Sequence, residues 1–293
     1  MNTRNLHFRS NRVCDILALF HEELDGLYGR GEVSVFVEML FESFLGWNRV
    51  QLLTSKWNTI DQSDLLRFHW ALEDLMRHRP IQHIIGHTDF CGCRIAVSPA
   101  VLIPRPETEE MVLWVTEGER QRVERVLDLC TGSGCIAIAL KKKYPEAEVT
   151  AVEISEKALS TARQNAEANG VEVQFVQGDV MDEALHIPLS SYRLIISNPP
   201  YVMERERFSM QPNVLDYDPA LALFVPDDDP LRFYKAIAAI AQRHLTKDGL
   251  LVVEINEALA DETSALLAAQ GFRAVIHVDF RGKPRWISAV LNP

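Results

Sequence analysis

Residues 126–153, VLDLCTGSGCIAIALKKKYPEAEVTAVE, decide the fold. A short apolar run, VLDL (126–129), ends in a turn of small residues that opens into a helical pattern over 135–143, and a second β-prone run, VTAVE (149–153), follows. Strand, glycine turn, helix and strand make up the repeating unit of a sheet covered by helices on both faces. The same alternation continues outward: helix 156–169, strands 173–176 and 193–197, helix 231–245, strand 250–255, helix 257–270, and strands near 273–278 and 286–291. An α/β domain is expected from residue 111 to 293.

Before residue 80 the period is helical instead. Val13, Ile16, Leu17, Phe20 and Leu24 form one stripe, Val33, Phe36, Val37, Leu40, Phe41 and Phe44 a second, and Leu65, Phe68, Leu72 and Leu75 a third. Residues 1–80 are therefore read as a small all-helical domain, with Trp47 and Trp57 as core or interface aromatics. His69, on an apolar face, is expected as a core histidine. Residues 81–110 mix Pro, Gly and short β-prone runs, the pattern of a linker and hairpin. Pro106 suits the first turn of a helix there, and Glu107, Glu109 and Glu110 suit its positive end.

The composition narrows the function. Hydrophobic residues at 47% and charged residues at 24% allow ordinary cores and exclude disorder or a fibre. A net charge of −11 argues against general coating of nucleic acid, and the balance of 9 basic and 11 acidic residues in 1–80 gives that lobe no nucleic-acid footprint. No apolar run approaches the ~18 residues of a membrane span, and the start MNTRNLHFRSN lacks a leader's apolar stretch. A cytoplasmic protein without membrane attachment is expected, with five reduced cysteines of which Cys130 and Cys135 are packing residues. His83, His87, Cys91 and Cys93 lack zinc-site spacing, the triplet Asp227, Asp228 and Asp229 reads as a solvated loop, and no metal is expected.

Three successive strand ends carry residues suited to a nucleoside. In the turn Cys130-Thr131-Gly132-Ser133-Gly134 the glycines lack the Cβ that keeps a ligand off the backbone, and the helix behind it offers N–H groups to a carboxylate; a tight strand-to-helix connection is the alternative. Glu153 ends the next strand, where an acid can accept both ribose hydroxyls, or simply precede a helix capped by Ser155. Asp179, followed by Val180, ends the third, where a carboxylate can accept from an adenine amino group. The turn lacks the GxGxxG spacing that a pyrophosphate needs, so S-adenosylmethionine, which has no phosphates, fits better than a nicotinamide dinucleotide.

Asn198-Pro199-Pro200-Tyr201 ends the fourth strand. Two prolines remove two donors and leave carbonyl acceptors, and Asn198 adds an amide oxygen, a set suited to holding both hydrogens of an NH2 group. Tyr201 can pack on a planar acceptor; the alternative is a Pro-Pro turn with Tyr in the core. Asn198, Pro199 and Tyr201 are the candidate catalytic residues, and Asn198 through Tyr201 the candidate substrate contacts.

At these residues the sequence resembles the HemK/PrmC-type glutamine N5-methyltransferases of peptide chain release factors. The resemblance is carried by LIPRPETE (102–109), DLCTGSGCIAIAL (128–140), AVEIS (151–155), SNPPY (197–201), YDPALAL (217–223) and DFRGKPRWI (279–287). It implies a Rossmann-like class I methyltransferase domain behind a helical substrate-recognition domain. It also implies cofactor contacts from Cys130, Thr131, Gly132, Ser133, Gly134, Glu153, Asp179, Val180 and Asn198, with S-adenosylhomocysteine as product and a release factor as protein partner. A monomer is expected. Arg105, Glu107 and Thr108 belong to a segment that lies near the cofactor pocket in similar proteins, or serve in capping and ion pairing. A glutamine in a ribosomal protein is the alternative acceptor, and after it an adenine amino group in nucleic acid. Cys130 and Asn256 stand where relatives usually have glycine, so Cys130 is expected at negative φ with its side chain turned from the ligand. The stretch 225–230 replaces a glycine-containing loop.

Overall fold

The helical stripes and the strand–helix alternation form two separate units. A computed structural model describes residues 8–117, 123–188 and 191–292; residues 1–7, part of the stretch read for a leader, lie outside them. The chain divides between Gly86 and His87. The segment 81–110 is thereby shared: its first residues close the helical unit and its hairpin belongs to the second.

The first unit comprises α1 (Val13–Tyr28), α2 (Arg30–Leu45), α3 (Arg49–Thr54), α4 (Gln62–Met76) and α5 (Ile81–Ile85). The positions at helical spacing are the buried ones: Phe20, Phe41 and Phe68 meet at the centre, with the Phe41 and Phe68 rings 4.5 Å apart. Trp47 packs against this core, whereas Trp57 is 77% exposed. His69 is not a core residue; it lies at the edge of α4 beside Glu73, 3.6 Å away, because its position falls one residue off the buried stripe.

The second unit begins with a hairpin of β1 (His87–Phe90) and β2 (Cys93–Ala96), followed by α6 (Pro106–Glu117), β3 (Arg125–Leu129), α7 (Cys135–Lys143), β4 (Glu148–Glu153), α8 (Glu156–Ala168), β5 (Gln174–Gln177) and β6 (Tyr192–Ser197). The pair β7 (Val202–Met203) and β8 (Phe224–Val225) encloses α9 (Pro212–Leu215) and α10 (Ala220–Leu223); α11 (Arg232–His244), β9 (Leu245–Glu254), α12 (Ala260–Ala269), β10 (Phe272–Val278) and β11 (Pro284–Leu291) complete it. The short elements between β6 and α11 have no periodic signal and escape a sequence reading.

Among the described residues seven strands form one sheet in the order β10-β11-β9-β6-β3-β4-β5, with β11 antiparallel to both neighbours and β9, β6, β3, β4 and β5 parallel. Successive residues alternate between two cores: Val126, Leu194, Ile196 and Val252 face α6 and α7, while Leu127, Ile195, Leu251 and Val253 face α11. Burial on both faces explains why the centres of these strands are mostly apolar at successive positions. The chain runs from β3 outward to β5 and then returns to β6 on the other side of β3, so the order reverses between β3 and β6. Open α/β sheets bind ligands at such a reversal, beyond the carboxyl ends of the strands.

Candidate active site

Parallel register brings the candidate residues together. Leu129 pairs with Val152 and with Ser197, and Ser197 pairs with Val253, so Cys130, Glu153, Asn198 and Glu254 all stand one residue beyond the same line. A cavity of about 320 Å3 opens at this edge, a size in the range of small-molecule sites.

At the first strand end the turn is held from below. Asp128, fully buried, accepts from the Thr131 hydroxyl at 2.5 Å and the Ala137 amide at 3.2 Å. Burial, the largest influence, pushes its carboxyl up to about 7. Gly132 (φ +55°) lines the cavity, with no atom within 4 Å of where a Cβ would stand. Gly134 (φ +81°) serves packing instead: a Cβ there would sit 3.1 Å from the Ala162 Cβ. Cys130 corrects the expectation of negative φ. It has φ +59° and lines the cavity, because the chain must reverse within one residue for the Thr131 amide to reach the Val152 carbonyl at 3.0 Å.

Glu153 is fixed rather than loose. Its Oε2 accepts from the Gly132 amide and its Oε1 from the Ser155 amide, each at 3.0 Å, and the residue lines the cavity with further acceptor capacity on both oxygens. Ser155 caps α8, its hydroxyl accepting from the Ala158 amide, and this cap leaves Glu153 in the cavity lining. Asp179 and Val180 line the cavity too, with Asp179 Oδ1 accepting from the Met181 amide at 2.8 Å. Ser133 is buried and also lines it. A glycine without Cβ contacts, an oriented carboxylate and a third acid beside apolar Val180 fit a nucleoside bearing an amino-acid tail.

At the fourth strand end Asn198 and Pro200 line the cavity, while Pro199 is buried and Tyr201 turns its hydroxyl to Glu254 Oε1 at 2.9 Å. Asn198 Nδ2 donates to the Thr108 hydroxyl at 3.0 Å, which donates to Glu254 Oε2 at 2.5 Å. Glu254 was legible only as the tail of an apolar strand; an acid ending a buried strand is the signal that could have found it. Burial pushes its carboxyl above the usual range. Asn256 fills its glycine position usefully: Oδ1 caps the following turn through the Ala258 amide, and Nδ2 donates to the Tyr201 carbonyl at 3.1 Å.

The segment 102–109 supplies another wall. Leu102, Pro104, Arg105 and Thr108 line the cavity, and Arg105 pairs with buried Asp218 of the YDPALAL stretch at 2.5 Å. That pair carries Leu221, Ala222 and Phe224 to the opposite wall. In the loop 225–230, Asp227 accepts from the Arg205 amide at 3.0 Å and Asp229 pairs with Lys235 at 2.6 Å.

Residues 112–215 match the family described as Methyltransferase small domain, and residues 26–86 match the PrmC N-terminal domain. A release factor glutamine methyltransferase from Flavobacterium psychrophilum is 39% identical over 275 residues, covering 92% of this chain and 95% of that protein. One from Bacteroides thetaiotaomicron is 40% identical over 275 residues, covering 94% and 98%. Among solved structures, a methyltransferase from Pyrococcus furiosus is similar in fold, with a TM-score of 0.51 at 20% identity, covering 68% of this chain and 89% of that one.

Proposed function

The chain belongs to the release factor glutamine methyltransferase family, and from that premise we propose that it methylates the side-chain amide nitrogen, N5, of the glutamine in the Gly-Gly-Gln loop of peptide chain release factors. The observation that carries this reading is Asn198 at the cavity wall, on the same sheet edge as Glu153 and the glycine turn. S-adenosylmethionine, when bound, would supply an electrophilic methyl group on a sulfonium centre. Glu153 would hold the ribose hydroxyls, Asp179 the adenine amino group, and the turn 130–134 the amino-acid tail.

An amide nitrogen is a poor nucleophile because its lone pair is delocalised into the carbonyl. Acceptors on both N–H bonds, Asn198 Oδ1 and a carbonyl of the Pro-Pro peptide, turn that pair toward the methyl group and offset the positive charge that grows on nitrogen. Pro199 and Pro200 set the path of the chain through their fixed φ angles. Tyr201 supports the motif through Glu254. As the C–N bond forms the sulfonium C–S bond breaks, and the nitrogen sheds one of its own two hydrogens as a proton to water; the sulfide is a good leaving group, so no metal is called for. The helical unit is assigned to docking the protein substrate.

Methyl-labelled cofactor incubated with release factor, ribosomal protein and nucleic acid in separate reactions tests the reading. Label on release factor that vanishes when its loop Gln becomes Ala supports it; label only in nuclease-sensitive material overturns it. Asn198→Ala is expected to lower kcat by about 100-fold or more, with little change in cofactor affinity. Equal losses in both would contradict the assigned role.

A further inference from the structure

Resting on the methyl-transfer reading, we propose that Glu254, acting through Thr108, determines which end of the Asn198 carboxamide faces the acceptor, so that Glu254 and Thr108 are positioning residues of the reaction. An asparagine side chain has two ends of nearly the same shape and opposite hydrogen-bonding character. Only the oxygen end can accept an N–H from the substrate amide. The NH2 end would present donors to donors and would push the substrate nitrogen's hydrogens away.

The choice starts at Glu254 and reaches Asn198 through Thr108 in the cavity wall. Glu254 ends β9 at the level of Asn198, since Ser197 pairs with Val253, and is 2% exposed. An ionised carboxylate can only accept. Its two oxygens each take a hydroxyl hydrogen, Oε2 from Thr108 at 2.5 Å and Oε1 from Tyr201 at 2.9 Å. Desolvation, the larger influence, raises the carboxyl, and these two bonds offset it in part.

Thr108, also 2% exposed, has one hydroxyl hydrogen, and it is committed to Glu254. The hydroxyl therefore meets Asn198 as an acceptor, and the Asn198 NH2 end must point to it, as the 3.0 Å Nδ2–Oγ1 contact records. Turning the amide over would set two oxygens against each other with no hydrogen between them. Asn198 Oδ1 is left for the cavity side. The same carboxylate also holds Tyr201, and the Glu254 carbonyl receives the Tyr234 hydroxyl at 3.2 Å. One acid thus acts on both ends of the Asn198–Tyr201 motif, through Thr108 at the first residue and directly at the last.

Three variants separate polarity from packing. Thr108→Val keeps the shape and removes the hydroxyl, Thr108→Ser keeps the hydroxyl, and Glu254→Gln keeps the shape while making one oxygen a donor. Release factor is the acceptor, S-adenosylhomocysteine binding is measured by calorimetry, and thermal unfolding checks the fold. We expect Thr108→Val and Glu254→Gln to lose about tenfold or more in kcat, Thr108→Ser to stay within about threefold of the parent, and product affinity to change less than about twofold. The double variant Thr108→Val/Glu254→Gln should be no slower than the slower single one, because Thr108 acts on Asn198 in series with Glu254. Equal impairment of Thr108→Val and Thr108→Ser, or an unimpaired Thr108→Val, would overturn the proposal.

A second measurement needs no turnover. In protein labelled with 15N-asparagine, exchange of the Asn198 side-chain NH2 with solvent should be slowed in the parent and in Thr108→Ser and faster in Thr108→Val; the same rate in all three would overturn the relay. A parent enzyme that labels no release factor yet shows this exchange pattern would count against the methyl-transfer reading alone.

Discussion

Cys130 offers the most direct test of the backbone at the glycine turn. Its φ of +59° lies in the left-handed region, which costs a residue bearing a Cβ roughly 1–2 kcal/mol. Glycine at this position relieves that cost, and loses about 0.4–1 kcal/mol through the greater freedom of the unfolded chain. Alanine relieves nothing. Both substitutions remove the same sulfur, which packs against the α11 side of the sheet, so that loss cancels when the two variants are compared. Cys130→Gly should therefore be the more stable of the two by about 1 kcal/mol. At ordinary φ the order is the opposite, with alanine ahead by roughly 0.5–1 kcal/mol. The measurement is urea unfolding of both variants, with thermal midpoints expected to differ by about 2–4 °C for a unit of this size. Alanine equal to or more stable than glycine would refute the assigned backbone. The thiol itself should resist alkylation in the folded protein, because burial, and after it the Glu153 charge, push it well above the usual range.

Two further outcomes follow from the same edge of the sheet. The Asp128 carboxyl, raised to about 7 in the folded state, keeps a proton that the unfolded chain releases near pH ~3.9, so its contribution to stability falls as pH rises through that window and is level beyond it. Asp128→Asn removes this slope, and its stability relative to the parent should improve by up to about 4 kcal/mol between pH 4 and pH 7; parallel denaturant curves across that range would contradict it. Asp218→Ala removes the partner of Arg105 and should destabilise the α9–β8 wall by about 1.5–3 kcal/mol, the worth of a hydrogen bond to a charged group. Limited proteolysis should then cleave within 217–226 faster than in the parent, and unchanged protection would sink the assignment.

What could be read from sequence had its cause in local periodicity and chemistry. Burial on two faces makes the middle of strand 193–197, Leu194 to Ile196, an unbroken apolar run, and the 3.6-residue stripe around Phe20 and Phe68 marks helices whatever they pack against. The glycine turn, Glu153, Asp179 and Asn198 were legible because each closes a recognisable strand. Tertiary structure decided the rest. The parallel register put Glu254 level with Asn198 across a separation that no local pattern spans, and the Thr108 hydroxyl joined them from a helix 146 residues away from Glu254 in the chain. Cys130 carries a side chain in a conformation that its residue type disfavours, because the hydrogen bond from Thr131 to Val152 dictates the turn. The reason is general: hydrophobic patterning records which face a residue buries, whereas the direction of a hydrogen bond depends on which partner the fold brings to it.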